Sequence, residues 1–403
     1  MATNAMVDSV SSDDGDAILA AAAALRPVIR GYQEEIERER RIPPALMEQL
    51  RAAGLYRMMV PRELGGAQLD LLTCFRAIEL ASEGDGSVGW NIATSSAQAL
   101  TALSLPDAGV REIFANGPDV PLAGTLGRAG GRGVALDGGY VVTGRWSFGS
   151  GCQASMWTNG SFEIFDGPEP RRLPDGTAAR ARGFFKSTEC TIMDTWQVTG
   201  LRGTGSHDWA VHEVFVPSER TAPHPGSITN LWSRWPGTLY QMPASMFIGP
   251  HFGPVATGIA RAGIDALAEI AGSKTPYTQA GLLRDQVQIQ EWVGRAEVLL
   301  GSARAYREAV VSEMWKTVAA GHQVTVEQMA RCRMAGSYTA DCATQATDLM
   351  YRAGGTTSIE WGQRLERCWR DVHVVSQNFS LLPEFYVLGG KALLGLPPGP
   401  KLS

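Results

Sequence analysis

Ser147 and Ser150 stand beside Trp146 and Phe148 in a run that reads Trp-Ser-Phe-Gly-Ser-Gly-Cys from Trp146 to Cys152. Short hydroxyls next to flat apolar faces can hold a planar heteroaromatic ring such as a flavin, stacking on its face and hydrogen bonding at its edge. Gly149 and Gly151 flank Ser150, so the backbone there can take a positive φ or pass close to a bound ring. A glycine-rich turn whose aromatics belong to the core uses the same residues, and both readings stand at this point. A second glycine-rich run, Gly200 to Asp208, carries Arg202, Ser206 and His207. It has neither the spacing nor the strand-to-helix context of a nucleotide loop, so it either lines a pocket or forms a plain turn, and a turn is favoured for His207. The six histidines (His207, His212, His224, His251, His322, His373) show no HExxH or other metal-ligand spacing, so no metal is expected.

The elements that must position these residues fall into three segments. Asp16 to Arg41 is rich in Ala, Leu, Glu and Arg and predicts a long helix; Pro43-Pro44 opens another that ends near Gly54. Asp70 is a candidate N-cap for a helix over Leu71 to Ser82. Helices over Val88 to Leu103 and Pro106 to Phe114 complete this layer, with Trp90, Asn91 and Thr94 on nearly one face. From Val120 short β-branched runs alternate with glycine turns and predict an antiparallel barrel or sandwich. From about Phe252 long helical periodicity returns, over Val255–Ile270, Leu283–Val318 and Val326–Ala353. The expected organisation is α+β: a helical domain over 1–118, a middle β domain over 119–235 and a four-helix bundle over 236–403. No βαβ alternation is present, which excludes a Rossmann sheet.

The chain has 403 residues, a net charge of −5 and a pI near 5.8, so it lacks the electrostatic footprint of a nucleic-acid or anionic-membrane partner. Six scattered cysteines without CxxC read as reduced thiols of a cytoplasmic protein, and the polar, acidic stretch from Met1 to Asp16 is unlike a targeting peptide. No apolar run is long enough to span a membrane. Trp157, Trp196, Trp209, Trp232, Trp235 and Met242 suggest an aromatic-lined pocket, core or an interface.

In this order of segments, the chain resembles the acyl-CoA dehydrogenase fold, and its motifs are similar to those of the oxygenase components of two-component flavin-dependent monooxygenases. The motifs are Asp85-Gly-Ser-Val-Gly-Trp-Asn91, Trp146 to Cys152, Gly200-Leu-Arg-Gly-Thr-Gly-Ser206, Gly354-Gly-Thr-Thr-Ser358 and Arg364 to His373. The resemblance implies that a separate NAD(P)H:flavin reductase supplies reduced FMN or FAD. The flavin then reacts with O2 to a C4a-(hydro)peroxyflavin that oxygenates a small aromatic or amine substrate, in a homotetramer. It further implies that Ser150 donates a hydrogen bond near flavin N5, with Trp146, Ser147, Phe148 and Gly149 lining the ring. Trp90, Thr94 and Thr125 contact flavin or substrate. Lys274 stands near a phosphate-binding position, and Gly354 and Gly355 let a neighbouring subunit's backbone approach the cofactor.

The sequence departs from the family at one catalytic place. Many members carry a second histidine five residues after the one in Arg-Asp-Val-His373; here that residue is Asn378, which can hydrogen bond but not titrate. His373 is the alternative base. Two competing readings are an acyl-CoA dehydrogenase with Glu360 as base, displaced from the expected place and lacking the proline that usually follows, and a non-catalytic flavin-fold scaffold.

Overall fold

The computed structural model describes residues 12–125, 129–223, 231–247, 249–277 and 280–397. Met1 to Ser11, His224 and the Pro-Gly-Pro tail after Pro397 lie outside the described residues, as does the Trp232 side chain. Six helices come first: α1 (Ser12–Gly31), α2 (Gln33–Glu39), α3 (Pro44–Ala52), α4 (Leu71–Gly84), α5 (Gly86–Ala102) and α6 (Asp107–Ile113). The long first helix expected from composition is broken at Tyr32, between α1 and α2, and Arg40 closes α2 in the left-handed region, at φ 53°. Asp70 caps α4 by accepting the amides of Leu72 and Thr73, both at 3.0 Å. Asp85 does the same for α5, accepting from Ser87 at 2.9 Å. Ala, Ser and Gly make α5 thin, so it runs through the interior with every residue but Trp90 buried.

Eight strands follow: β1 (Leu122–Gly124), β2 (Gly131–Leu136), β3 (Gly139–Trp146), β4 (Trp157–Phe165), β5 (Arg180–Lys186), β6 (Thr191–Met193), β7 (Asp208–Pro217) and β8 (Thr221–Pro223). Their order is β6-β7-β3-β2-β4-β5-β8, with β1 on β4. The sheet is mixed where wholly antiparallel pairing is expected: β4 runs parallel to both β1 and β2. The cause is a crossover. β3 hairpins back beside β2, and the chain must then round the beginning of β2 to place β4 on its other side. The segment that makes this passage, 147–156, is the one that carries Phe148 and Ser150.

After α7 (Thr238–Gln241) come the bundle helices α8 (Gly253–Ala271), α9 (Val287–Ala319), α10 (Val326–Gly354) and α11 (Arg364–Ser376), with α12 (Glu384–Leu393) against α10. One apolar core runs from the first helices into the bundle, and a second lies within the sheet. No helix among the described residues is long and apolar enough to cross a membrane.

Candidate functional site

A cavity of about 390 Å³ lies where α5, the crossover segment, the β6–β7 loop, the start of α8 and the end of α11 meet. That size suits one small aromatic body or a ring system entering from outside. Its aromatic walls are Trp90, Phe148, Trp196, Phe252 and Phe379. Trp90 packs on Phe252 with ring centres 4.8 Å apart, and Phe148 meets Trp196 edge-on at 6.0 Å. Phe148 is held at φ +62°, a region costly for a bulky residue, and its ring is 68 % exposed. Such a strained, unburied ring is a platform for something flat.

Polar groups enter the cavity through a chain of hydroxyls. Trp90 Nε1–H donates to Ser150 Oγ at 3.1 Å; Ser150 and Ser206 hydroxyls lie 2.7 Å apart, as do those of Ser206 and Thr204; Thr204 Oγ1 donates to Leu201 O at 2.8 Å. Each hydroxyl has one proton. A carbonyl only accepts, so the Thr204 proton goes to Leu201, that of Ser206 to Thr204, and that of Ser150 to Ser206. Ser150 therefore turns a lone pair, not a proton, toward the cavity. The resemblance implies a donor at Ser150; in this structure the order of the hydroxyls makes Ser150 an acceptor on that side, because its proton is directed to Ser206.

The chain is anchored behind. Leu201 sits in the left-handed region at φ 49°, and its amide donates to Asp371 Oδ1 at 2.6 Å. Burial and the neighbouring buried Asp85 push the Asp371 carboxyl up to about 8. In the same loop His207 is buried with Nδ1 accepting the amides of Thr195 and Trp196, both at 3.2 Å. This fixes the Nε2–H tautomer and makes His207 a turn support, while burial lowers its pKa. Arg202 turns away to Glu37.

The other expected residues divide. Thr94 and Thr125 line the cavity, as does Asn378, whose Oδ1 accepts the Ser380 amide at 2.9 Å in a turn after α11. Trp146 does not present its ring: it stacks on Trp209 at 4.3 Å in the sheet core, in a slot where a Cβ on Gly144 or Gly160 would come within 2.6 or 2.7 Å of it. Ser147 contributes its carbonyl to Thr125 Oγ1 at 2.9 Å. Gly149 lies against Trp209, where a Cβ would approach to 2.6 Å, so its part is to let the chain pass. His373 faces away, with Nε2 3.0 Å from Asp348 Oδ1 on α10. Glu360 is exposed and outside the cavity. Lys274 Nζ donates to Gly354 O at 2.7 Å and Thr357 Oγ1 at 2.9 Å, so Lys274, Gly354 and Gly355 gather at one place outside this chain's cavity. Gln98, one turn beyond Thr94 on α5, lines the wall and was not anticipated; the spacing Trp90, Thr94, Gln98 was the available signal.

These residues fit a reduced flavin ring. Ser150 could accept from the ring's N–H edge, and Phe148 could support its face. No Lys or Arg lines the cavity, so a phosphate must be held elsewhere.

Fold and site define an oxidoreductase built on the acyl-CoA dehydrogenase architecture. Family models described as "Acyl-CoA dehydrogenase, N-terminal domain" and "Acyl-CoA dehydrogenase, C-terminal domain" match residues 16–107 and 251–381. An indole-3-acetate monooxygenase of Pseudomonas putida is 30 % identical over 95 % of this chain and 96 % of its own length. The flavin-dependent monooxygenase oxygenase subunit HsaA of Mycobacterium tuberculosis is 27 % identical over 97 % and 98 %. The crystal structure of 3-HSA hydroxylase from Rhodococcus sp. RHA1 superposes with a TM-score of 0.86 at 25 % identity, covering 96 % of this chain and 99 % of that one. The chain belongs to the family of flavin-dependent monooxygenase oxygenase subunits.

Proposed function

We propose that this oxygenase works as one half of a pair: a separate NAD(P)H:flavin reductase supplies reduced FMN or FAD in the cytoplasm, and this chain, as a homotetramer, oxygenates a small aromatic molecule. The flavin, when bound, supplies two electrons to O2, so that one oxygen atom enters the substrate and the other leaves as water. The name of the indole-3-acetate monooxygenase relative supports an aromatic substrate.

The observation that carries this reading is the polarised hydroxyl chain ending at Ser150 under an aromatic cavity. Ser150 accepts a ring N–H and orients the ring edge; Phe148 supports its face. Trp90, Phe252 and Phe379 exclude water, which protects a reactive oxygen species from wasteful decay. Asn378 offers a hydrogen bond without a proton to exchange, so substrates needing no general base at that place suit the site best. Lys274, beside Gly354 and Gly355, serves the flavin phosphate of a neighbouring subunit.

The test supplies the purified protein with FMN, a flavin reductase and NADH under ¹⁸O2, with indole-3-acetate as first substrate, and reads ¹⁸O in the product. Oxidation of acyl-CoA thioesters without a reductase, or failure to bind any flavin, would overturn the reading.

A further inference from the structure

Gln98 is held by a second relay, made of amides rather than hydroxyls. It starts at Arg182 on β5, which is fully buried and forms no ion pair among the described residues. Its Nη1 donates to Asn159 Oδ1 at 2.6 Å, while Nε and Nη2 have no hydrogen-bond partner among the described residues. Burial without a counter-ion lowers its pKa to about 10, so the guanidinium remains a cation at neutral pH. Asn159 Nδ2 donates to Ala123 O at 3.0 Å and to Gln98 Oε1 at 2.9 Å; Gln98 Nε2 donates to Gly124 O at a long 3.4 Å.

Every amide orientation here is over-determined. A guanidinium only donates, so the Asn159 oxygen must face Arg182; the Ala123 carbonyl only accepts, so the Asn159 nitrogen must face the other way. That nitrogen fixes the Gln98 oxygen, which leaves the Gln98 NH2 at the cavity wall. Gly124 makes the relay possible, since a Cβ there would lie within 2.4–2.7 Å of the Asn159 amide. Both amide dipoles point their positive ends away from Arg182 and toward the cavity, and alignment in a low-dielectric interior strengthens the field. The relay thus turns the donor end of Gln98 toward the wall it shares with Gly124, although no charged side chain lines the cavity.

Resting on the oxygenase reading above, we infer that Gln98 is a specificity-determining residue that donates a hydrogen bond to an anionic oxygen, phenolate or carboxylate, of an aromatic substrate. Ser150, whose free position accepts, and the aromatic walls cannot fill that role; Thr94, Thr125, Gln377 and Asn378 also line the cavity, but none of them has a buried cation behind it as Gln98 has. Gln98 is buried yet lines the cavity, and the proton of its NH2 not directed at Gly124 is the one we assign to the substrate.

The experiment titrates full-length protein by calorimetry, anaerobically, with and without reduced FMN. Two matched probe pairs are used: indole-3-acetate against 3-methylindole, and 4-nitrophenol against nitrobenzene. A hydrogen bond to a charged group predicts roughly a 10- to 100-fold preference for the oxygen-bearing member of at least one pair, and which pair shows it separates carboxylate from phenolate. Gln98→Leu and Gln98→Glu should bring that preference within about 3-fold while leaving the apolar member's affinity nearly unchanged; Gln98→Leu also lowers the melting temperature, because the Asn159 N–H loses its acceptor. Arg182→Met, read in the same way, should weaken the preference with Gln98 intact. A preference that survives in both Gln98 variants, or none in the wild type, overturns the inference. A protein that binds no flavin yet keeps a Gln98-dependent preference would sink the oxygenase reading and support this one. Flavin uptake without such a preference would sink this one alone.

Discussion

The indole N–H of Trp90 on α5 donates to Ser150 Oγ on the crossover segment at 3.1 Å, joining the first helical layer to the sheet at the floor of the cavity. Trp90→Phe keeps the apolar wall and removes the donor. Ser150 then has two free lone pairs and a less fixed rotamer. Reduced-flavin affinity should fall by less than about 10-fold, consistent with loss of one hydrogen bond, whereas peroxide released per NADH consumed should rise. Ser206→Ala cuts the chain on the other side and frees the Ser150 proton, and it should raise peroxide release more than Trp90→Phe does. Parallel assays of product and peroxide check the ranking.

Phe148 separates strain from function. Phe148→Gly relieves a positive φ and should leave stability equal or raise it by about 1 kcal/mol, while flavin affinity drops. Gly149→Ala does the reverse in origin: its Cβ would meet Trp209 at 2.6 Å and His207 O at 3.0 Å, so a loss of roughly 1–3 kcal/mol is expected. Thermal melting with flavin titration resolves the two.

Asn378→His places a titratable ring at the cavity but gives up the turn bond to the Ser380 amide. The melting temperature should fall, by an amount equivalent to about 1 kcal/mol. Flavin affinity should stay nearly constant and the coupling of NADH use to product should change. A large loss of flavin binding with unaltered coupling would contradict the placement of Asn378.

Lys274→Met tests completion of the site by a neighbour. FMN affinity should weaken about 10-fold, the order expected for losing one charge-assisted contact, while riboflavin affinity stays level. Equal weakening of both would show that Lys274 acts only through the Gly354–Thr357 turn.

Two buried groups set the pH dependence of stability. His251 donates from Nε2 to Ala93 O at 2.8 Å and is neutral, and burial pushes it down to about 4. A depressed histidine gives stability that is present above its ordinary value near 6.5 and is lost as pH falls toward 4. Asp371 is raised by burial and by Asp85, so its contribution is complete below the ordinary carboxylate range and is lost as pH rises toward 8. Between about pH 4 and 6.5 the two slopes oppose each other and largely cancel, so stability should be nearly level there and decline from about 6.5 toward 8. His251→Gln should extend that decline down into the acid range, and Asp371→Asn should remove it and expose an acid decline, each slope being about 1.4 kcal/mol per pH unit at most.

Much of this was legible from residue types. Asp70 capping α4, the glycines round Ser150 and the return of helical period after Phe252 are local features, and local features are written in local sequence. Trp146 was not legible, because only the slot made by Gly144 and Gly160 across strands takes its ring into the core. Nor was the direction of the Ser150 proton, which depends on Leu201, far along the chain. Gln98 was half legible: helical spacing put it below Thr94, but its meaning comes from Arg182 on another strand. Among the tryptophans, Trp196 in the β6–β7 loop reached the cavity while Trp157 on β4 and Trp209 on β7 went to core, a choice made by position on loop or strand rather than by hydrophobicity.

The route from β3 to β4 crosses two strand spacings, roughly 10 Å, round the beginning of β2. Shortening 147–156 would unzip the parallel pair, and lengthening it would let the platform ring sag from its neighbours. The geometry thus lets this floor change by swapping side chains but not by changing its residue count. The 166–179 segment between β4 and β5, which does not line the cavity, is where a change of length would leave the chemistry untouched.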